Sequence, residues 1–201
     1  MLTEYSSYDD IRKFRDKARE KFSKMYDGWL GKELERERIK WRKLKNFNNN
    51  KVITFDRTFK IENQVVKVSF TPSYSPLGDF IKSHYSHCLS TKIETSKGKY
   101  TIILGDNVIE ILTAHYTKRF KERLGGYVFY QWTDIIPYTR NGKTYELECS
   151  GDGVHITRRV EKDIVKHITI LHRDMCTSKN YQELFERAGK AIDEHDIYEW
   201  K

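Results

Sequence analysis

The apolar residues of this chain change their period near residue 50, and that change limits the folds open to it. Between residues 11 and 29 they recur as Ile11, Phe14, Ala18, Phe22, Met25 and Trp29, at steps of three and four. Such spacing draws one stripe along an α-helix, because 3.6 residues make a turn. From Lys51 the pattern changes to strands. Val66, Val68 and Phe70 alternate with Lys67 and Ser69, which sends successive side chains to opposite faces of a half-buried strand. A helical first segment followed by a run of strands predicts an α+β protein. Its sheet should be mostly antiparallel, with packed helices and a long N-terminal helical arm, rather than a doubly wound parallel fold.

The helix is expected over residues 6–45. Ser7 and Asp10 have the spacing of a capping pair. Asp27-Gly28 and Gly31 weaken the helix and mark the place for a kink, and Leu34, Trp41 and Leu44 continue a looser stripe. From Arg12 to Lys45 the segment interleaves many Arg and Lys with Glu and Asp, as an amphipathic helix with a solvated charged face does. Asn46-Phe47-Asn48-Asn49-Asn50 reads as a linker, since Asn is poor in helix interiors and tolerant of turns. The expected division is a basic amphipathic arm, residues 1–46, and an α+β core domain, residues 47–201.

Within the core, Lys51–Phe59 and Gln64–Thr71 flank Glu62-Asn63 as a hairpin, which Pro72 and Pro76 end. A short helix is expected at Gly78–Ser86, then a hairpin of Lys92–Thr95 and Tyr100–Leu104 around Ser96-Lys97-Gly98. Strand Val108–Leu112 leads into a helix from about Thr113 to Leu124, stopped by Gly125-Gly126. A meander follows, with strands Tyr127–Trp132, Thr133–Thr139, Thr144–Cys149, Val154–Val160 and Ile164–Leu171. Asn141-Gly142 is a strong two-residue hairpin turn, Ser150-Gly151-Asp152-Gly153 is a second turn, and a final helix is expected over Asn180–Asp193.

Charge narrows the partners. Lys and Arg number 37 against 29 Asp and Glu, a net +8, which favours polyanions and says nothing about fold. The 10 Phe, 13 Tyr and 4 Trp supply enough buried surface for a core despite the charge. Charge and aromatics together favour a nucleic acid as partner. Residues 6–45 are a second candidate surface, for another copy of the chain or a protein partner. Three cysteines, Cys88, Cys149 and Cys176, are no disulfide framework, so a reducing compartment is expected. The N-terminus carries no basic segment followed by an apolar run. No stretch approaches the ~18 apolar residues of a membrane span. The expectation is a cytoplasmic or virion-associated protein with no membrane contact.

Chemistry concentrates on the segment Leu112–Leu124. On a helix, His115, Arg119 and Arg123 stand four apart and share a face. Leu112, Tyr116, Phe120 and Leu124 form the adjacent apolar stripe, which can pack on a sheet. Imidazole exchanges protons near neutral pH, and guanidinium groups bind phosphate oxygens and the charge that grows on them. Such a face suits phosphodiester chemistry, with Lys118 beside it. The structural alternative is a solvated helix face. In the strand Ile164–Leu171, alternation sends Ile164, Lys166, Ile168 and Ile170 one way and Val165, His167, Thr169 and Leu171 the other. A polar pair on such a strand needs hydrogen bonds. Tyr145, His155, Arg158 and Arg159, on neighbouring expected strands, can converge with it or be structural.

The order of strand, short turn, helix with His115-x3-Arg119-x3-Arg123, hairpin meander and a strand ending Ile168-Thr169-Ile170 resembles the RelE/barnase/colicin-nuclease-like superfamily of small ribonucleases. It is similar above all to variants encoded by phages and mobile elements. The resemblance covers roughly residues 100–178. It implies metal-independent, toxin-like RNA cleavage with the ribose 2′-hydroxyl as nucleophile and no cofactor. His115 matches the helix histidine as general acid or base. Arg119 or Arg123 matches the phosphate-binding residue, and Thr169 the polar residue late in a strand. Arg123, Lys118, Arg158 and Arg159 are then the nucleic-acid contacts. The alternative is a phage or virion-associated binding protein without catalysis, using the helical arm.

Other chemistries have weaker marks. His84, His87 and Cys88, with His172 and Cys176, pair His with Cys at short spacing, but the spacing matches no zinc finger or ribbon, and no metal is expected. Phosphate-loop, dinucleotide, nucleophile-elbow and HExxH motifs are absent from the sequence. Two His-Ile-Thr triplets lie only twelve residues apart, at His155 and His167. The two-histidine phosphoesterases place theirs on distant repeated halves, which excludes that assignment.

Overall fold

The computed structural model describes residues 1–42, 55–72, 85–124, 136–150 and 153–175, with the single positions 179, 182 and 186. It has the expected α+β character: a long helical N-terminal segment, a further helix, and strands that pair antiparallel in all but one of the registers given below. By contact density the chain forms two compact units. One comprises Met1–Ile93 with Ile103–Gly105, the other Glu94–Ile102 with Asp106–Lys201. The N-terminal helices therefore belong to the same unit as the first strands.

In the first unit, Ser7 opens helix α1 (Tyr8–Met25) with a complete capping box. Its hydroxyl accepts from the Asp10 amide at 3.2 Å, and the Asp10 carboxylate accepts from the Ser7 amide at 2.9 Å. Ile11, Phe14, Ala18 and Phe22 are buried, so the stripe faces a core and the charged residues lie off it. Where a kink was expected, Tyr26–Leu30 form a π-helical turn closed by the Gly31 amide on the Tyr26 carbonyl. A Cβ at Gly31 would stand 3.3 Å from that same carbonyl oxygen, so glycine lets the wide turn close. Helix α2 (Gly31–Arg42) follows, with Leu34 buried.

The helices cover strands β1 (Phe55–Ile61), β2 (Gln64–Pro72) and β3 (Tyr85–Thr95), which are antiparallel neighbours in that order. The β1–β2 turn is the expected Glu62-Asn63, both at positive φ (47° and 67°), as a type I′ hairpin requires. Val66, Val68 and Phe70 are buried on one face with Phe59, Leu89 and Ile93. Gln64 is buried but satisfied: it accepts from the Leu2 amide at 2.7 Å and donates to Thr91 Oγ1 at 3.1 Å and the Lys92 carbonyl at 3.0 Å. Of the helix expected at Gly78–Ser86, residues 78–84 lie outside the described residues. Tyr85 and Ser86 are strand, paired with Pro72 and Thr71, because β2 offers them a ladder of backbone partners.

In the second unit the order is β5-β9-β8-β7-β6, and β4 (Gly98–Leu104) has residues in both units. These strands are β5 (Ile109–Leu112), β6 (Ile136–Arg140), β7 (Lys143–Ser150), β8 (Gly153–Glu161) and β9 (Ile164–His172). Asn141 and Gly142, at φ 50° and 68°, make the expected type I′ turn between β6 and β7. The single parallel pairing among these registers is β5 with β9, reached because helix α3 (Ala114–Leu124) and the meander intervene in the chain. The linker 46–50, the strand Tyr127–Trp132, Gly125-Gly126 and nearly all of the final helix lie outside the described residues; Gln182 and Glu186 are helical. Among the described residues no helix is long and apolar enough to cross a membrane.

Candidate functional site

Helix α3 is anchored at the point where the parallel pair ends. The β5–β9 register runs from Ile109↔Ile164 to Leu112↔His167. Beyond His167 the edge of β9 on that side has no strand partner among the described residues, and α3 supplies donors there. The Thr113 hydroxyl donates to the His167 carbonyl at 3.0 Å, and the Arg123 guanidinium donates to the Ile170 carbonyl. Thr113 also caps the helix: its hydroxyl accepts from the Tyr116 amide at 3.1 Å, and its carbonyl from the Thr117 amide at 2.9 Å.

This anchoring brings two of the sequence candidates together. His115 Nε2 and Thr169 Oγ1 lie 3.3 Å apart at an exposed position. Arg119 and Arg123 follow on α3 at four-residue intervals. Arg119 Nη1 is 3.1 Å from a Glu122 carboxylate oxygen, and Lys118 is 3.8 Å from the other. Arg158 is exposed. Arg159 is held on β7 by Glu146, at 3.1 Å, and donates to the Lys162 carbonyl at 2.9 Å. Arg123 thus has a structural contact as well as its place on the basic face.

The expected facing of β9 needs correction. The β8–β9 register passes from Ile156↔Thr169 to Thr157↔His167, so Ile168 is an extra residue, a β-bulge. A bulge resets the alternation. His167 therefore shares its face with Val165 and Ile170, which are buried, and not with Thr169. The two residues treated as one polar pair do different things. Thr169 reaches His115, whereas His167 turns inward under α3.

Inside lies a second polar group. His155, Thr157 and His167 are each no more than 2% exposed. Register places Glu146 and Glu148 of β7, His155 and Thr157 of β8, His167 of β9 and Glu110 of β5 on one face. His167 Nε2 is 2.9 Å from Glu110 Oε2, and its Nδ1 has no partner among the described residues. The Tyr116 hydroxyl shares a 2.7 Å hydrogen bond with His155 Nδ1, and Phe120 lies beside both rings. Burial, aided by the charge of His167, lowers the pKa of His155 to about 4. Burial raises that of Glu148, whose carboxylate lies 3.4 Å from the Thr157 hydroxyl. Sequence reading singled out His155 and His167 but missed Glu110 and Glu148. Glu110 stands between two isoleucines, and that alternation was the available signal.

Of the residues weighed for zinc, His84 and Cys176 lie outside the described residues. Among the described residues no group of three or more His, Cys, Asp or Glu is placed to hold a metal ion. The chain matches no protein-family profile, no curated protein and no solved structure.

Proposed function

We propose that this protein binds RNA and cleaves it without a metal, at a site centred on His115 and Thr169. The observation that carries the reading is their 3.3 Å approach at an exposed point, with Arg119 and Arg123 continuing along the same helix. Accessibility selects this pair over the buried histidines. A phosphodiester inside a polymer must touch its acid and base, and rings only 2% exposed are out of its reach.

In the proposed reaction His115 takes the 2′-hydroxyl proton as the O2′–phosphorus bond forms. The phosphorus–O5′ bond breaks, and the leaving oxygen takes a proton from solvent. Thr169 positions the phosphate, and Arg119 meets the charge that grows on its oxygens. Lys118, Arg123, Arg158 and Arg159 hold neighbouring phosphates. A guanidinium has five donors, so the contacts of Arg119 to Glu122 and of Arg123 to Ile170 do not by themselves exhaust either side chain.

The test is cleavage of mixed single-stranded RNA in EDTA by the wild type and by His115→Ala. We expect a loss of about 10²- to 10⁴-fold, as for removal of a general acid or base, with an unchanged far-ultraviolet spectrum. Cleavage surviving in the purified variant overturns the role of His115. The second reading is a non-catalytic nucleic-acid platform, favoured by the contacts that already engage Lys118, Arg119 and Arg123. Salt-sensitive RNA binding with no cleavage by the wild type would select it.

A further inference from the structure

The first unit carries a groove that the proposed cleavage site does not use. It has a volume of about 600 Å³ and is lined by Arg19, Glu20, Phe22, Ser23, Tyr26, Phe70 and His87. That volume lies within the range of small-molecule sites, roughly 300–1,000 Å³. The lining is aromatic and cationic rather than aliphatic. The Phe22 ring stands 4.7 Å from that of His87, 6.0 Å from that of Tyr26 and 6.1 Å from that of Phe70. Phe22 and Phe70 are buried, whereas Tyr26 is 42% exposed and His87 is exposed. A solvent-facing tyrosine and histidine thus flank a buried pair of phenylalanines.

The placement is built in by two features of the backbone. The π-helical turn begins at Tyr26, and such turns gather at functional sites. On the sheet side, β2–β3 register sets Phe70 opposite His87, on the face where Val66, Val68 and Leu89 are buried. Arg19, one turn before Phe22, brings its guanidinium to the same groove and donates to the Leu104 carbonyl at 3.4 Å. The carboxylate of Glu20 is paired with Lys24 at 2.6 Å, which offsets its repulsion of an anion.

We infer that this groove binds an unpaired base of a single-stranded nucleic acid, stacked against Tyr26 and His87 with its phosphate toward Arg19. Flat rings that offer a face, next to an arginine, fit a base and its phosphate, because stacking serves any base and the cation tracks the backbone. An aliphatic ligand would gain nothing from the guanidinium, and a polyanion without bases would gain nothing from the rings. Partial burial, with help from the nearby Arg19 charge, lowers the pKa of His87, which favours the neutral ring for stacking. The inference rests on the nucleic-acid reading above but not on cleavage.

The experiment uses the full chain carrying His115→Ala, so that strands stay intact. Fluorescence anisotropy compares a labelled single-stranded eight-nucleotide RNA with an abasic strand of the same phosphate count. The base-bearing strand is expected to bind about tenfold more tightly, within the range known for base–aromatic stacking. Tyr26→Ala and His87→Ala should each reduce that preference towards unity, while Tyr26→Phe keeps it. Equal binding of the two strands, or a preference that survives both alanine variants, overturns the groove. A nucleoside monophosphate that binds as tightly as the strand overturns the strand as occupant. Cleavage is assayed separately on wild-type, Tyr26→Ala and His115→Ala chains. Loss of cleavage activity only in His115→Ala, with base preference lost only in the Tyr26 and His87 variants, separates the two claims.

Discussion

The two units each set a helix against a sheet, and the surfaces that meet are chemically opposite. Helix α1 presents Ile11, Phe14, Ala18 and Phe22, and the sheet of its unit has Phe59, Val66, Val68, Phe70 and Leu89 buried. Helix α3 presents Tyr116 and Phe120 to a face carrying Glu110, Glu148, His155, Thr157 and His167. An apolar contact is non-directional, scales with area and is indifferent to protons. A buried polar contact depends on every partner, since an unmatched group costs more than a matched one contributes. The second unit therefore places titratable groups under the same helix that carries the proposed cleavage site.

The largest effect is expected from Phe14→Ala. Phe14 is 4% exposed, and its truncation should cost about 3–5 kcal/mol through lost transfer energy and the cavity left behind. Denaturant unfolding at pH 7 and pH 5 should show the same loss. A loss that depends on pH would break the contrast between the units.

Acid should act on the other interface. His155 ionises at about 4 in the fold against an ordinary 6.5, so the fold favours its neutral form. Its contribution is full above pH 6.5 and is lost as pH falls from there through about 4, for at most ~3 kcal/mol. Glu148 has the opposite sign. Its raised pKa disfavours the fold at neutral pH, and protonation relieves that cost as pH falls, so the net loss is smaller. Amide exchange, corrected for its intrinsic pH dependence, should show α3 opening more readily at pH 5 than at pH 7 while α1 changes little. Equal changes in the two helices would contradict this.

Tyr116→Phe sharpens the same point at smaller scale. It removes the hydroxyl 2.7 Å from His155 Nδ1 and leaves a buried nitrogen without that partner, at a cost of about 1–3 kcal/mol. The His155 resonance in an NMR titration should shift its midpoint in the variant. An unmoved midpoint would mean that burial alone holds the ring neutral.

Much of the fold was legible because it is written in local periods. The α1 stripe, the Ser7–Asp10 box and the turns at Glu62-Asn63 and Asn141-Gly142 each depend on a few consecutive residues. The sequence also marked His115, Arg119 and Arg123 as one face, since helical spacing alone puts them there. The resemblance named Thr169 and His115 as residues of one site but did not place them within reach of each other. In space their 3.3 Å approach follows from the docking of α3 beside β9 where β5 stops.

What the sequence by itself determined is the helical stripe of α1, the alternation of β2, the turn chemistry and the basic character of α3. Only the tertiary structure decided which polar residues meet. Strand alternation predicted that His167 and Thr169 share a face, and one inserted residue, Ile168, separated them. That bulge is a property of the pairing between β8 and β9, and no period within β9 contains it. The aromatic groove likewise joins residues from α1, the π-helical turn, β2 and β3, which the chain brings together only by closing its core. Local patterns fix where a side chain points along its own element, whereas a site is fixed by register between elements, which is a long-range outcome of packing.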